Sequence, residues 1–227
     1  MNLSATLNIF KLLVKPSLCV PHATISTFEG LSIGLPAVLQ KANGNRPPDI
    51  QAVVFDKDNC FAKPNDNEIH EQYKHLFEEI RNAFSSPRLL IVSNSAGSSE
   101  DPDGKEADLL EQVTGVKVFR HSTKKPGCAI DVYKHLRSIK PVGVTHAAQV
   151  AVVGDRLFTD VMMANMMGAW SIWIKDGVVK NDDFLSRVEK GLPSRLKRYG
   201  ILAPAVEQKE AKEGNTEVRP SKEDTAE

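Results

Sequence analysis

The chain has no run of about eighteen uncharged apolar residues, the length a helix needs to cross a bilayer, so no spanning helix is expected. It has no excess of either charge, since 29 lysines and arginines stand against 29 aspartates and glutamates. Without a broad basic surface for phosphate backbones, no nucleic-acid partner is expected. Cysteine is scarce and unpaired. Cys19, Cys60 and Cys128 are isolated and odd in number, which excludes a disulfide scaffold, a zinc finger and a dithiol redox motif. Cys128 falls on a predicted helix face and is expected to pack as a small hydrophobe.

Acid is missing from the first 28 residues: Glu29 is the first, while Lys11 and Lys15 precede it. Together with the crowded apolar positions Leu3, Leu7, Ile9, Phe10, Leu12, Leu13 and Val14, this fits either an organellar targeting segment or a helix lying on an anionic membrane. Pro16 and Pro21 end any such helix early, and the lack of arginine there suits a transit peptide less well. An arm packed on its own domain accounts for the same residues. Residues 1–49 are set apart as this arm. From Pro204 onward aromatics are missing, and seven acids and four bases remain, so 204–227 is expected to be a disordered charged tail. Residues 50–203 are left as one domain, and nothing in them fixes an oligomeric state.

What that domain does contain is alternation. Apolar runs at 50–55, 89–92, 116–119, 149–153 and 170–174 are near-continuous, as strands buried on both faces require. Helical patterns lie between them at 68–84, 105–114, 128–139 and 159–167. In the first, Ile69, Tyr73, Leu76, Phe77, Ile80 and Phe84 recur at spacings of three and four, a stripe that faces a sheet. The expected class is α/β: a doubly wound, mainly parallel sheet flanked by helices. Its ligand crevice lies beyond the carboxyl ends of the strands, so functional residues should follow the apolar runs.

They do. The first run ends in Asp56-Lys57-Asp58-Asn59-Cys60, where two carboxylates one residue apart project the same way if the strand period persists. Such crowding is tolerable when a divalent cation neutralises it or one carboxyl carries a proton, although Asp and Asn also end strands simply to make turns. The second ends in Ser93-Asn94-Ser95, small polar groups able to hold phosphate oxygens. Lys124-Lys125-Pro126-Gly127 precedes a helix, and Lys125, next to the helix-starting proline, is the better candidate to reach the crevice as a compact cation. Exposed loop lysines are common, so this signal is weak by itself. The fourth run opens into Gly154-Asp155-Arg156-Leu157-Phe158-Thr159-Asp160, where Gly154 permits a tight turn and two acids follow. Their joint occurrence at separate strand ends makes one metal-phosphate site.

In these residues the chain resembles the haloacid dehalogenase superfamily of phosphatases, over roughly 50–174. The resemblance implies that Asp56 is the nucleophile, forming an aspartyl-phosphate, and that Asp58 protonates the leaving group and later activates water. It implies Ser93, Asn94 and Lys125 as phosphate-binding. It implies Mg2+ held by Asp56, the backbone carbonyl of Asp58 and Asp155, with Asp160 in support. Cys60 departs from the threonine common there, which touches only a supporting hydrogen bond. About 34 residues separate Asp58 from Ser93 and about 30 separate Asn94 from Lys125, too few for an inserted cap domain. An uncapped site suits a phosphate carried on something large.

More specifically, the DKDNC motif, Lys-Lys-Pro and GDRLFTDV resemble the mitochondrial phosphatidylglycerophosphate phosphatases and their capless bacterial relatives. That resemblance implies a phospholipid substrate, phosphatidylglycerophosphate, converted to phosphatidylglycerol on the way to cardiolipin. It also implies peripheral association with an anionic membrane on the matrix side of the mitochondrial inner membrane. The basic residues Arg187, Lys190, Arg195, Lys197 and Arg198 fit anionic head groups, or a solvated helix face. Two other readings share the core: a capless phosphatase of phosphoproteins or polynucleotide ends, and a catalytically silent membrane-interaction module.

Overall fold

The computed structural model describes residues 15–32, 34–84, 86–140, 144–180 and 184–207. Strands β1 (Ala23–Ile25), β2 (Ala52–Phe55), β3 (Leu89–Ile91), β4 (Lys117–Val118), β5 (Val150–Gly154) and β6 (Trp170–Ile174) form one sheet in the order β1-β6-β5-β2-β3-β4. Every pairing is parallel, so each connection must cross back over a face. The α/β class expected from the sequence holds.

The helices are α1 (Leu35–Leu39), α2 (Lys74–Ala83), α3 (Lys105–Thr114), α4 (Ala129–Ser138), α5 (Met162–Met167) and α6 (Phe184–Arg198). Successive strand side chains point to opposite faces, and the two cores follow that period. Val53 and Phe55 of β2 pack with Phe28, Phe61, Phe77 and Leu110 on one side. Ala52 and Val54 pack with Cys128, Val132, Leu136 and Met163 on the other. The stripe expected on α2 is in place: Tyr73, Phe77 and Ile80 are buried, with Ile69, Leu76 and Phe84 against the same core. Cys128 is fully buried, as expected.

The sheet begins earlier than residue 50, the expected start of the domain. β1 pairs with β6, and Phe28, Leu31, Leu35 and Leu39 from the segment set apart as an arm lie in the main core. β1 escapes a search for apolar runs because it is a three-residue, partly exposed edge strand. The apolar face proposed for residues 3–14 lies outside the described residues. Of the expected tail, residues 204–207 are described, and Pro204 and Val206 touch the body through His22 and the core. Residues 208–227 lie outside the description.

From β2 the chain steps to β3 and β4 on one side, then returns to β5 and β6 on the other. The reversal leaves a crevice beyond the carboxyl ends of β2 and β5, where an open α/β sheet binds its ligand. The β2–β3 and β3–β4 connections carry one principal helix each, α2 and α3, and no cap domain.

Candidate active site

Asp56 follows β2 directly, and its N–H still donates to the Val153 carbonyl of β5 at 2.9 Å, so the sheet ladder fixes where the side chain emerges. It is 7% exposed. Lys125 reaches it from the turn before α4: Nζ donates to Asp56 Oδ1 at 2.5 Å and to Asp160 Oδ1 at 2.6 Å. Lys125 is anchored behind by its own N–H, which donates to Asn94 Oδ1 at 2.8 Å. Asp160 sits in a single π turn, Leu157–Val161, and its Oδ2 accepts the Arg156 N–H at 3.1 Å.

Asp155 opens the same strand-to-helix turn. One oxygen, Oδ2, accepts from Asn59 Nδ2 at 3.3 Å, while Oδ1 is buried with no hydrogen bond. An Oδ1 so placed is costly unless something else meets it. Asp56, Asp155 and Asp160 bring carboxylate oxygens within 4.8 Å of one another. Three carboxylates meet one buried ammonium and, at 4.0 Å from Asp155 Oδ1, the exposed Arg156 guanidinium, so the site keeps a net negative charge.

Titration reports the same crowding. Burial pushes the Asp56 carboxyl up, to about 6; Lys125 pulls against it and Asp160 adds to it. Asp155 is driven well above the carboxylate range by burial, then by Asp56 and Asp160. Burial alone would lower Lys125, but Asp160 and Asp56 outweigh it and hold the ammonium above its usual value. The 2.5 and 2.6 Å contacts to Lys125 mark Asp56 and Asp160 as its ion-pair partners, while Asp155 has only the exposed Arg156 guanidinium, 4.0 Å from its Oδ1. The donor set fits a divalent cation: all oxygen, with one carboxylate oxygen free of hydrogen bonds and a net negative charge.

Asp58 occupies a different setting. Its Oδ1 meets Lys57 Nζ at 2.9 Å and accepts the Asn65 N–H at 2.8 Å; its Oδ2 accepts from Ser95 Oγ at 3.2 Å. The side chain is 26% exposed and faces a cavity of about 180 Å3 shared with Asp56, Asn94 and Lys125. Pro64, Asn65, Arg156 and Thr159 complete the wall. A larger groove of about 910 Å3 runs between the start of β1 and residues 202–206, away from these carboxylates.

Asp56, Asp58, Asn94, Lys125, Asp155 and Asp160 thus converge at the strand ends. Ser93 does not line the cavity: it is fully buried, and its Oγ accepts the Ser95 N–H at 3.1 Å and lies 3.0 Å from Ser95 Oγ. Its contact with the cavity runs only through Ser95, whose Oγ donates to Asp58. Cys60 replaces the usual threonine with a weak 3.9 Å contact from Sγ to the Val153 carbonyl, and its thiol is kept protonated chiefly by burial. The sequence did not single out Ser95, Asn59 or Arg156 as site residues. Asn59 owes its placement to a left-handed φ and cross-loop contacts, and Ser95 to its contacts with Ser93 and Asp58, none of which spacing announces.

The profile of the mitochondrial PGP phosphatase family matches residues 3–179. The chain belongs to this family. It is 46% identical over 192 residues to a mitochondrial phosphatidylglycerophosphatase of Saccharomyces cerevisiae, covering 85% of this chain and 97% of that one. It is 34% identical over 190 residues to a probable mitochondrial phosphatidylglycerophosphatase of Schizosaccharomyces pombe, covering 83% and 90%. A chloroplastic phosphatidylglycerophosphate phosphatase of Chlamydomonas reinhardtii is 32% identical over 162 residues, covering 68% and 57%. No solved structure matches. As a member of a phosphatase family, the chain is a phosphoric monoester hydrolase.

Proposed function

We propose that this member of the PGP phosphatase family removes the terminal phosphate of phosphatidylglycerophosphate, with Mg2+ as cofactor and Asp56 as nucleophile, yielding phosphatidylglycerol for cardiolipin synthesis. The observation that carries the mechanism is the cluster of Asp56, Asp155 and Asp160 around Lys125, opening on a cavity that Asp58 also faces. Asp56, Asp155 and the Asp58 carbonyl would hold the ion, with Asp160 beside them. Bound there, Mg2+ supplies positive charge to the phosphoryl oxygens.

The chain's residues divide the work. Lys125 neutralises phosphoryl charge and keeps one Asp56 oxygen engaged, so the other is free to attack phosphorus. The phosphorus–oxygen ester bond breaks as the Asp56–phosphorus bond forms, and Asp58 delivers its proton to the departing alkoxide. Asp58, now a carboxylate, takes a proton from water, whose oxygen attacks the same phosphorus, and inorganic phosphate leaves with Asp56 regenerated. Asp58 suits this shuttle because its hydrogen bonds hold it at the cavity wall, where water has access.

A lipid substrate agrees with the family and with the absence of a cap. Among the described residues no helix is long and apolar enough to cross a membrane. The association proposed with this substrate is peripheral, on the matrix side of the mitochondrial inner membrane. Exposed Arg187, Arg195, Lys197 and Arg198 of α6 supply charge for anionic head groups. One panel tests the whole reading: phosphatidylglycerophosphate, a phosphopeptide, a 5′-phosphorylated oligonucleotide and an aryl phosphate, each with Mg2+ or with chelator. Hydrolysis of the lipid above the others, lost on chelation, is expected. Preference for the peptide or oligonucleotide would replace the lipid assignment, and undiminished turnover in chelator would remove the metal.

A further inference from the structure

We infer that Asn59 is the positioning residue that aims Asp155 at the divalent cation, and that the loop after β6 holds Asn59 in place to do so. This rests on reading Asp155 as a ligand of that cation.

Asn59 stands in the left-handed region at φ 57°, where asparagine is tolerated and most side chains are strained. The backbone there turns the amide away from β2 and towards the neighbouring strand end. Its two ends are then claimed by different elements. The Val179 N–H donates to Asn59 Oδ1 at 2.8 Å, so the NH2 end must face the other way, and it donates to Asp155 Oδ2 at 3.3 Å. The Val178 N–H adds a 3.3 Å bond to the Asn59 carbonyl. Gly177 presses on the same group: a Cβ there would lie 2.3 Å from Asn59 Nδ2 and 2.6 Å from its Cγ, and Gly177 itself has φ +68°. Only glycine lets this loop close over the amide.

The consequence is a divided carboxylate. With Oδ2 of Asp155 engaged by Asn59 and its backbone carbonyl accepting from Trp173 Nε1 at 2.8 Å, Oδ1, which has no hydrogen bond and only the Arg156 guanidinium at 4.0 Å, is the oxygen presented to a cation. Outer partners of this kind fix ligand orientation and typically govern about 10- to 100-fold of metal affinity.

Calorimetric titration of Mg2+ into the full chain tests this without recourse to turnover. Asn59→Gly keeps the backbone conformation accessible while deleting the amide, and should weaken Mg2+ binding by roughly 10-fold or more. Gly177→Ala should weaken it too by displacing Asn59, and carries the test if Asn59→Gly does not fold. Val179→Ala, which keeps the donating N–H and changes only an exposed side chain, should bind as the wild type does. In Asn59→Gly, saturating Mg2+ should restore most of kcat, as expected when only ligand orientation is lost. Folded Asn59→Gly or Gly177→Ala with wild-type affinity would overturn the role of Asn59. A wild-type chain that binds no Mg2+ would instead bring down the cation reading beneath it.

Discussion

Among the described residues, two of the buried polar clusters are satisfied to different degrees. At the edge of the sheet, Asn165 Nδ2 donates to the Leu18 and Val20 carbonyls at 2.8 and 3.0 Å, and its Oδ1 accepts from Ser171 Oγ at 3.1 Å. His22 joins them, its Nδ1 accepting the Ser171 N–H at 3.1 Å and its Nε2 donating to the Pro204 carbonyl at 2.9 Å. Every donor there has an acceptor, and the cluster stitches the early chain, α5, β6 and the residues after α6 together. At the strand ends, by contrast, Asp155 Oδ1 has no hydrogen bond, with the Arg156 guanidinium 4.0 Å away, and Asp56 and Asp160 share one lysine. A closed network is structure, because nothing more is needed. An open one, with a buried carboxylate oxygen lacking a hydrogen bond, can take an added charge.

The sharpest break in that comparison is Asp56→Asn. Turnover should fall by roughly 10^4-fold or more, as when other covalent nucleophiles are removed. Melting temperature should hold or rise, because one of the crowded carboxylates is gone. An unchanged rate would place the nucleophile elsewhere. Lys125→Met attacks the other side of the balance: without the ammonium, buried carboxylates are left unpaired, at a cost of about 3–5 kcal/mol in denaturant unfolding. Added Mg2+ should recover part of that loss.

The closed cluster should respond in stability alone. Asn165→Ala leaves the Leu18 and Val20 carbonyls without donors and should cost about 1–3 kcal/mol, with kcat unchanged. A change in kcat at saturating Mg2+ would show that the two clusters are coupled. The smallest effect is that of pH on His22. Burial lowers its pKa, with the Pro204 carbonyl opposing, so the folded state resists the second proton that the unfolded chain accepts. Stability supplied through His22 is therefore present above its unfolded value of about 6.5 and is lost as pH falls towards the lowered folded value. The difference in melting temperature between wild type and His22→Gln should narrow over that interval.

How much of each cluster was legible in the sequence follows from how each is built. Asp56, Asp58, Lys125, Asp155 and Asp160 stand at strand ends or beside helix starts, where apolar runs stop, and a parallel sheet brings such ends together. The fold was readable for the same reason, since buried parallel strands write themselves as near-continuous Val, Ile and Leu. The closed cluster was not legible. His22, Asn165 and Ser171 are separated by up to 149 positions and meet only because β1, a three-residue edge strand, pairs with β6. Phe28 was hidden likewise: nothing local shows that its ring packs 5.3 Å from Phe55. Ser93 shows the limit within the site, because a residue at the right strand end still turned its hydroxyl inward to Ser95.

The central claim, that Asp56 carries the phosphoryl group, is tested most directly by trapping. Asp58→Asn removes both the acid that serves the leaving group and the base that activates water, so the phosphoryl group is loaded slowly and, once loaded, is released slowly. That variant, mixed with phosphatidylglycerophosphate and Mg2+, quenched in acid and digested, should show by mass spectrometry a phosphoryl group on the peptide containing Asp56, assigned to that residue. A phosphoryl group on any other residue, or phosphate released in a single turnover with Asp56 never labelled, would contradict it.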